Sequence, residues 1–214
     1  MIIAIDGPAG SGKSTIAKLI ADDFGLVYLD TGAMYRLVTL KALNDGILGN
    51  LEKIEEMLNN LNIDIRGNRF YLDDIDVSGE IRKPVVSENV SDIAAIREVR
   101  EKMVDLQRKL SKSKSVILDG RDIGTVVFPN ADVKIFLVAD AKERANRRYK
   151  ELIEKGENVR IEEIYENILK RDEIDSTRKE SPLKKAEDAI EVDTTSKNIE
   201  EVKNEILKII KKKV

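Results

Sequence analysis

Hydrophobic residues along the chain fall into short apolar runs separated by longer amphipathic stretches. The runs occupy residues 2–5, 26–29, 116–118, 133–138 and 189–192. Short, continuous apolar runs are typical of strands that are buried on both faces, and apolar residues at steps of three or four are typical of helices. The pattern therefore predicts a three-layer α/β fold, in which helices cover both faces of a parallel central sheet.

One segment departs from this pattern, between residues 63 and 77. Apolar and polar residues alternate there in three short runs, which Gly67-Asn68 and Asp73-Asp74 separate. Alternation interrupted by turn residues predicts a small three-stranded antiparallel meander. Because the strand–helix series resumes afterwards, the meander and its following helices are predicted to be an insertion of roughly 40 residues within a single domain of residues 1–214.

The last stretch of the chain has the spacing of an amphipathic helix. Its apolar residues are Ile199, Val202, Ile206, Ile210 and Val214. This spacing predicts a helix that docks on the domain and ends in solvated lysines at 211–213.

The amino-acid composition excludes several classes of function and of catalytic mechanism. The 214 residues include 37 basic and 40 acidic side chains, and this balance argues against a protein that coats nucleic acid. Histidine, cysteine and tryptophan are absent, which excludes Ser-His and Cys-His nucleophile pairs, thiol redox chemistry and disulfides. No apolar run approaches the length of a membrane span, so we expect a cytoplasmic protein without a membrane partner.

Residues 7–14 match the phosphate-binding pattern G-x-x-x-x-G-K-[ST], between a predicted strand and a helix that begins near Lys13. The predicted ATP-binding residues are Gly7, Pro8, Ala9, Gly10, Ser11, Gly12, Lys13, Ser14 and Thr15. In this motif the backbone N–H groups cradle phosphates and the lysine reaches the β- and γ-phosphates. The hydroxyl of Ser14 is a predicted ligand of Mg²⁺.

An aspartate ends the apolar run that begins at Val116. This residue, Asp119, has the position of a Walker B carboxylate, which helps to hold Mg²⁺ directly or through water. Two alternatives stay open: Asp6 could take this role, or Asp119 could be an ordinary turn or capping residue.

Arginines recur at predicted strand ends and on helix faces. Guanidinium groups bind phosphates bidentately, and phosphoryl transfer depends mainly on positioning and on charge neutralisation. A phosphate monoester is already largely ionised near neutral pH and needs no general base, which suits a chain without histidine. The sequence therefore favours a nucleoside monophosphate as acceptor over a sugar or shikimate hydroxyl.

Three segments carry a family resemblance. Residues 30–36 (DTGAMYR), 119–129 (DGRDIGTVVFP) and 171–178 (RDEIDSTR) strongly resemble the bacterial-type cytidylate kinases in sequence, order and spacing. The resemblance implies a P-loop kinase that transfers the γ-phosphoryl group of ATP to CMP or dCMP with Mg²⁺, giving ADP and CDP or dCDP. It also implies a monomer.

The resemblance assigns roles to individual residues. It assigns the acceptor phosphate to Arg36, Arg121 and Arg178, with Thr31 nearby. Cytosine is assigned to Asp122 and to Ser91 and Arg100, which are expected on the helix after the meander. The ribose is assigned to Asp175. The catalytic residues are predicted to be Lys13, Arg121, Arg178 and Arg148. Residues 58–100 are predicted to form the inserted subdomain that binds the nucleoside monophosphate.

The resemblance also predicts a mobile lid at residues 144–160, whose arginines close over ATP. The motif does not rank Arg144, Arg147, Arg148 and Arg160 among themselves.

Several of these residues have plain structural alternatives. Asp30 or Thr31 could cap a helix that starts near Ala33, and Ser91 could cap a helix that starts at Asp92. Asp175 could be a surface partner of Arg171 one helical turn away. At the level of function, the lack of an Asn-Lys-x-Asp sequence argues against a GTPase switch, whereas a shikimate or gluconate kinase remains the main alternative.

Overall fold

Two compact units make up the protein in this computed structural model. The first contains Met1–Asp30 and the chain from Leu110 onward, and the second contains Thr31–Lys109. The structure describes residues 1–67, 69–112 and 114–213. Asn68 of the predicted turn and Val214 of the predicted last helix lie outside the described residues.

The described residues form the following elements. The strands are β1 (Ile2–Asp6), β2 (Val27–Asp30), β3 (Ile63–Arg66), β4 (Arg69–Leu72), β5 (Ile75–Asp76), β6 (Val116–Gly120), β7 (Val133–Val138) and β8 (Ile190–Asp193). The α-helices are α1 (Lys13–Phe24), α2 (Thr31–Asn44), α3 (Leu51–Asn59), α4 (Pro84–Ala95), α5 (Arg97–Ser111), α6 (Ala141–Glu154), α7 (Ile161–Thr177) and α8 (Ile199–Lys213). A 3-10 turn spans Glu80–Arg82 and a π-helical turn spans Ile123–Val127.

The first unit is built on a five-stranded sheet with the order β2-β6-β1-β7-β8. Every adjacent pair of strands is parallel. The predicted parallel sheet is thus confirmed, and all five apolar runs contribute strands to it. Parallel strands bring their carboxyl ends to the same edge of the sheet, where the loops after β1 and β6 begin.

Helices α1 and α8 bury their apolar stripes against one face of this sheet. Ile16 and Ile20 of α1 and Ile206 and Ile210 of α8 share a cluster with strand residues such as Ile5. A glycine with a left-handed backbone, Gly25, ends α1 by donating its N–H to the carbonyl of Ala21. The docked last helix is confirmed, and its final turn carries the three lysines.

The second unit contains the predicted meander as a three-stranded antiparallel sheet, β3-β4-β5. Asp73 and Asp74 form its two-residue turn, and both have a positive φ, as turns between twisted strands require. Phe70 and Leu72 pack against Ala33 and Leu37 of α2. Alternation along β4 therefore buries one side of this sheet against a helix of the same unit.

Candidate active site

The loop after β1 has a backbone that only glycine accommodates at two positions. Gly7 has a φ of 148°, and a Cβ there would lie 2.1 Å from the carbonyl oxygen of Leu137. Gly10 has a φ of 77°, and a Cβ there would lie 3.2 Å from the Cβ of Arg144. These glycines allow the chain to curl tightly between β1 and α1, which is the strand–loop–helix arrangement of a phosphate-binding loop.

Lys13 is folded back over this loop and is buried. Its Nζ donates to the carbonyl oxygen of Pro8 at 2.6 Å and to Oγ of Ser11 at 3.4 Å. Burial and the nearby charge of Arg121 lower the pKa of Lys13 to about 7. An ammonium group held in this way is strongly stabilised by a bound anion, because the anion replaces the hydration that burial removes.

A hydroxyl and a carboxylate meet beside the loop. Ser14 Oγ donates to Oδ2 of Asp119 at 2.8 Å, and the hydroxyl of Tyr28 donates to Oδ1 at 2.8 Å. Burial raises the pKa of Asp119 to about 6, and the carboxylate of Asp30 adds to this shift. Asp119 is thus fixed by both of its oxygens.

Strand alternation explains why Asp119 rather than Asp6 reaches Ser14. Asp119 pairs in register with Ile5, and both lie on the sheet face that α1 covers. Asp6 points to the other face, where its two oxygens accept the N–H groups of Ile123 and Gly124 at 2.8 and 2.7 Å. The two carboxylates, which the sequence could not distinguish, have different partners.

These residues fit a magnesium ion that also binds phosphate. Among residues 1–67, 69–112 and 114–213, no group of three or more His, Cys, Asp or Glu side chains could hold a metal by itself. Mg²⁺, however, commonly takes one or two protein oxygens and completes its shell with water and substrate phosphates. Ser14 and Asp119 supply hard oxygen donors of the required kind.

Arginines and aspartates form a charged group in the first unit, on the loop after β6 and at the end of α7. Asp122, Asp175 and Arg178 are buried, and Arg121 is half-buried. Arg121 Nε donates to Asp175 at 2.8 Å, and Arg178 lies 3.7 Å from the same carboxylate and 4.0 Å from Asp122. Burial alone would raise the pKa of Asp175, but Arg121, Arg178 and Arg171 hold it below its ordinary value. Asp175 is therefore a buried partner of several arginines, and the alternative of a surface pair with Arg171 is wrong.

Arg171 joins this group although it was not among the predicted site residues. Its Nε is buried without a hydrogen-bond partner among the described residues, and burial together with Arg121 lowers its pKa to about 10. Two guanidinium groups in such proximity favour a bound anion. The i, i+4 spacing to Asp175 was the available signal for Arg171, but the sequence did not reveal that Asp175 is buried and that Arg171 is half-buried beside it.

The remaining predicted acceptor residues belong to the second unit. Thr31 is the buried first residue of α2, and Arg36 donates to Ser87 Oγ at 2.7 Å and to the carbonyl of Ile81 at 3.3 Å. The guanidinium of Arg100 donates to the carbonyl of Ala94 and lies 5.2 Å from the ring of Tyr35. Arg36 and Arg100 are thus positioned by contacts within their own unit.

Three expectations about local structure in the second unit are not met. Ser91 and Arg100 do not share one helix, because Ile96 has an extended backbone that ends α4 before α5 begins. Ser91 is buried inside α4 and does not cap a helix. Helix α2 also begins at Thr31, two residues before the expected start near Ala33.

The four arginines of residues 144–160 have different surroundings. Arg144 is buried and binds the carbonyl of Ala9 and the carboxylate of Asp172. Arg147 donates to the side chain and carbonyl of Thr194. Arg148 pairs with Glu151 at 2.8 Å on the surface, and Arg160 is exposed. Exposed pairs of this kind contribute little to stability, so Arg148 can exchange its partner for a ligand at small cost.

Comparison with known proteins identifies the family. A family model for cytidylate kinase matches residues 3–212. The chain belongs to the cytidylate kinase family. A cytidylate kinase of Fusobacterium nucleatum is 60% identical over 213 residues, covering 99% of this chain and 98% of the relative. One from Clostridioides difficile is 56% identical, covering 97% of this chain and 96% of the relative. The family membership that the sequence resemblance implied is confirmed.

A solved structure agrees with the fold. The crystal structure of an uncharacterized protein from Eubacterium ventriosum matches with a TM-score of 0.52 and 15% identity, covering 99% of this chain and 98% of that chain. At this identity the likeness concerns the fold alone. In the part of the chain that the structure describes, no helix is both long and apolar enough to cross a membrane.

Proposed function

We propose that this member of the cytidylate kinase family transfers the γ-phosphoryl group of ATP to CMP or dCMP, giving ADP and the nucleoside diphosphate. The observation that carries the proposal is the presence, within one unit, of a phosphate-binding loop and of three arginines with little exposure to solvent, the buried Arg178 and the half-buried Arg121 and Arg171. A reaction that brings two phosphate esters together needs cations for both, and phosphoryl transfer relies on such neutralisation.

On the donor side, the loop of residues 7–14 and Lys13 bind the polyphosphate of ATP. Mg²⁺ would be held by Ser14 and Asp119, and when bound it neutralises charge on the phosphates. Tyr28 keeps the carboxylate of Asp119 oriented through its own hydrogen bond. Lys13 already lies among the loop's oxygens, so little reorganisation is needed for it to meet a phosphate.

On the acceptor side, the proposal follows the assignments that the family resemblance makes. Arg36, Arg121 and Arg178 bind the phosphate of CMP, with Thr31 nearby, and Asp175 binds the ribose. No general base is required, because a phosphate monoester is already largely ionised at neutral pH. The guanidinium groups therefore serve mainly to hold the acceptor oxygen in line with the γ-phosphorus.

Cytosine recognition is proposed for Asp122, Ser91 and Arg100. The N4 amino group of cytosine is a donor that a carboxylate accepts, whereas uracil presents a carbonyl oxygen at the same place. A buried mismatch of this kind costs about 1 to 3 kcal/mol, so we expect CMP to be preferred over UMP by roughly tenfold or more.

The test of the proposed function is an assay of ADP formation with CMP, dCMP, UMP, AMP and shikimate as acceptors. Turnover with CMP or dCMP well above that with the others is expected. Turnover with shikimate or AMP alone would contradict the proposal, and equal efficiency with CMP and UMP would contradict the cytosine contacts while leaving the kinase chemistry in place.

The variant Asp122→Asn sharpens this test. An amide can donate to the uracil oxygen, so we expect the ratio of kcat/KM for CMP to that for UMP to fall by roughly tenfold. The matched control is Asp132→Asn, which changes an exposed carboxylate in the same unit. A ratio that is unchanged in Asp122→Asn would remove Asp122 from the base contacts.

Three further statements stay predictions. They are the inserted subdomain at residues 58–100, the lid at residues 144–160 and a monomeric, cytoplasmic protein. Protection of residues 144–160 from hydrogen exchange when both nucleotides bind would support the lid, and unchanged exchange would argue against it.

A further inference from the structure

Asp6 ends β1 but makes its contacts with the loop after β6. Its Oδ1 accepts the N–H of Ile123 at 2.8 Å and its Oδ2 accepts the N–H of Gly124 at 2.7 Å. The carboxylate is buried, with 5% of the residue exposed. Both oxygens are thus used on two consecutive backbone groups, which fixes the orientation of that peptide segment.

The segment that Asp6 holds follows directly after two of the proposed acceptor residues. Arg121 and Asp122 precede Ile123, where the π-helical turn of Ile123–Val127 begins. Within this turn the N–H groups of Val126 and Val127 both donate to the carbonyl of Asp122. The orientation of the Asp122 side chain therefore depends on a turn whose first two N–H groups are bound to Asp6.

Lys134 of β7 holds the far end of the same loop. It is 8% exposed, its Nζ donates to the carbonyl of Pro129, and it pairs with Asp188 at 2.8 Å. Its aliphatic stem lies against Gly124, where a Cβ would come within 3.1 Å of Cδ of Lys134 and 3.4 Å of Oδ2 of Asp6. The loop is thus bounded by two buried charged side chains from neighbouring strands.

We infer that Asp6 is a positioning residue for the acceptor nucleotide: by binding the N–H groups of Ile123 and Gly124, it sets the place of Arg121 and Asp122. This inference rests on the proposed function for the roles of Arg121 and Asp122. Although Asp6 is the residue directly before the ATP-binding loop in sequence, its side chain acts on the acceptor side. In this inference Asp6 acts through these residues, because both of its oxygens are taken up by backbone N–H groups.

The main test is Asp6→Asn, which keeps the size of the side chain but places an NH₂ group against one of the two N–H donors. We expect KM for CMP to rise by about 10- to 100-fold, because a small displacement of the acceptor contacts is costly. KM for ATP should change by less than about threefold. The preference for CMP over UMP should also fall, since Asp122 moves with the loop.

A second variant disturbs the same contact from the other side. Gly124→Ala adds a Cβ close to Asp6 and Lys134, and it should raise KM for CMP in the same direction but by a smaller factor. The matched control is Asp132→Asn, because Asp132 also accepts a backbone N–H of β1, that of Ile2 at 2.6 Å, at the opposite end of the strand. This control should leave both KM values unchanged.

A structural readout separates this inference from the proposed function. Hydrogen exchange at the amides of Ile123 and Gly124 should become faster in Asp6→Asn and stay unchanged in Asp132→Asn, whatever the acceptor is. If exchange is faster in Asp6→Asn but the wild type does not phosphorylate CMP, the loop contact is retained and the assigned acceptor is rejected. Equal increases in both KM values, or unchanged exchange at these amides, would overturn the positioning role.

Discussion

The loops after β1 and β6 start at the same edge of one sheet, but they are held in different ways. In the first, three donors from within the loop and the start of α1 converge on the carbonyl of Pro8: the N–H and hydroxyl of Ser11 and the ammonium group of Lys13. In the second, the carboxylate of Asp6 holds the start of a π-helical turn from a position 117 residues earlier in the chain. One loop is shaped mainly by its own sequence, and the other depends on a charge supplied by another strand.

This difference bears on how each loop would bind the phosphate that is proposed for it. The first carries a lysine whose partners are a carbonyl and a hydroxyl, which are neutral acceptors. The second carries Arg121, whose partner is the charged carboxylate of Asp175. Both donors are cations, but Asp175 also carries the opposite charge, so Arg121 gains a Coulomb attraction that the neutral acceptors of Lys13 do not supply.

The largest effect is expected from removing the cation of the first loop. In Lys13→Ala, we expect kcat to fall by about 10²- to 10³-fold, because a preorganised donor at the developing charge is lost. Burial lowers the pKa of Lys13, so its charged form is costly in the folded protein and the free energy of unfolding should not decrease. Steady-state kinetics and thermal unfolding check the two statements separately.

The control for this prediction lies on the same helix. Lys18 of α1 is exposed and lies 5.7 Å from the ring of Tyr28. Lys18→Ala should leave kcat within about twofold, because an exposed charge is screened by solvent and contributes little. Retained turnover in Lys13→Ala would contradict the assigned phosphate contact, whereas equal losses in both variants would point to a general effect of charge.

The same difference explains what the sequence could predict. The first loop was predicted residue by residue, since its glycines, lysine and hydroxyl are close in sequence and each has a local reason. The role of Asp6 stayed open, because the choice between Asp6 and Asp119 depends on which sheet face each side chain points to. Strand register decides this, and register is set by pairings between segments that are distant in sequence.

The residues proposed to bind the acceptor show a similar limit of sequence-based prediction. The family resemblance indicated Ser91 and Arg100 as base contacts on one helix. The break between α4 and α5 at Ile96 could not be predicted, because no glycine or proline marks it in the sequence. Arg171 was recognisable as a neighbour of Asp175 on a helix face. The burial of its Nε follows from packing in the folded chain, which spacing alone does not predict.

The next largest effect is expected in the pH dependence of stability, through the carboxylate of Asp6 that holds the loop after β6. Burial raises the pKa of Asp6 from 3.8 to about 6, although the N–H groups of Gly124 and Ile123 oppose the shift. A carboxyl group whose pKa is raised in the folded state stabilises the protein fully below pH 4, and this contribution is lost as the pH rises to about 6. The expected loss is about 3 kcal/mol in the free energy of unfolding.

The comparison of wild type with Asp6→Asn isolates this contribution. Other titrating groups are common to both proteins, so their pH dependence cancels to a first approximation. Urea unfolding at pH 4, 5, 6 and 7 should show the advantage of the wild type shrinking between pH 4 and 6 and constant above it. An advantage that grows over this range would mean that hydrogen bonding outweighs burial at Asp6.

The smallest expected effect tests whether the loop after β1 needs contacts from residues that are distant in sequence. Arg144 is one of its contacts from distant sequence, joining the carbonyl of Ala9 to the carboxylate of Asp172 on α7. In Arg144→Lys the bidentate pair and the bond to Ala9 cannot both be kept, so we expect a loss of about 2 kcal/mol in unfolding free energy. If the loop is shaped mainly by its own residues, KM for ATP should rise by no more than about threefold, and the exposed Lys150→Ala on α6 should change neither quantity. A rise in KM for ATP as large as the one expected for CMP in Asp6→Asn would mean that both loops depend equally on distant charges.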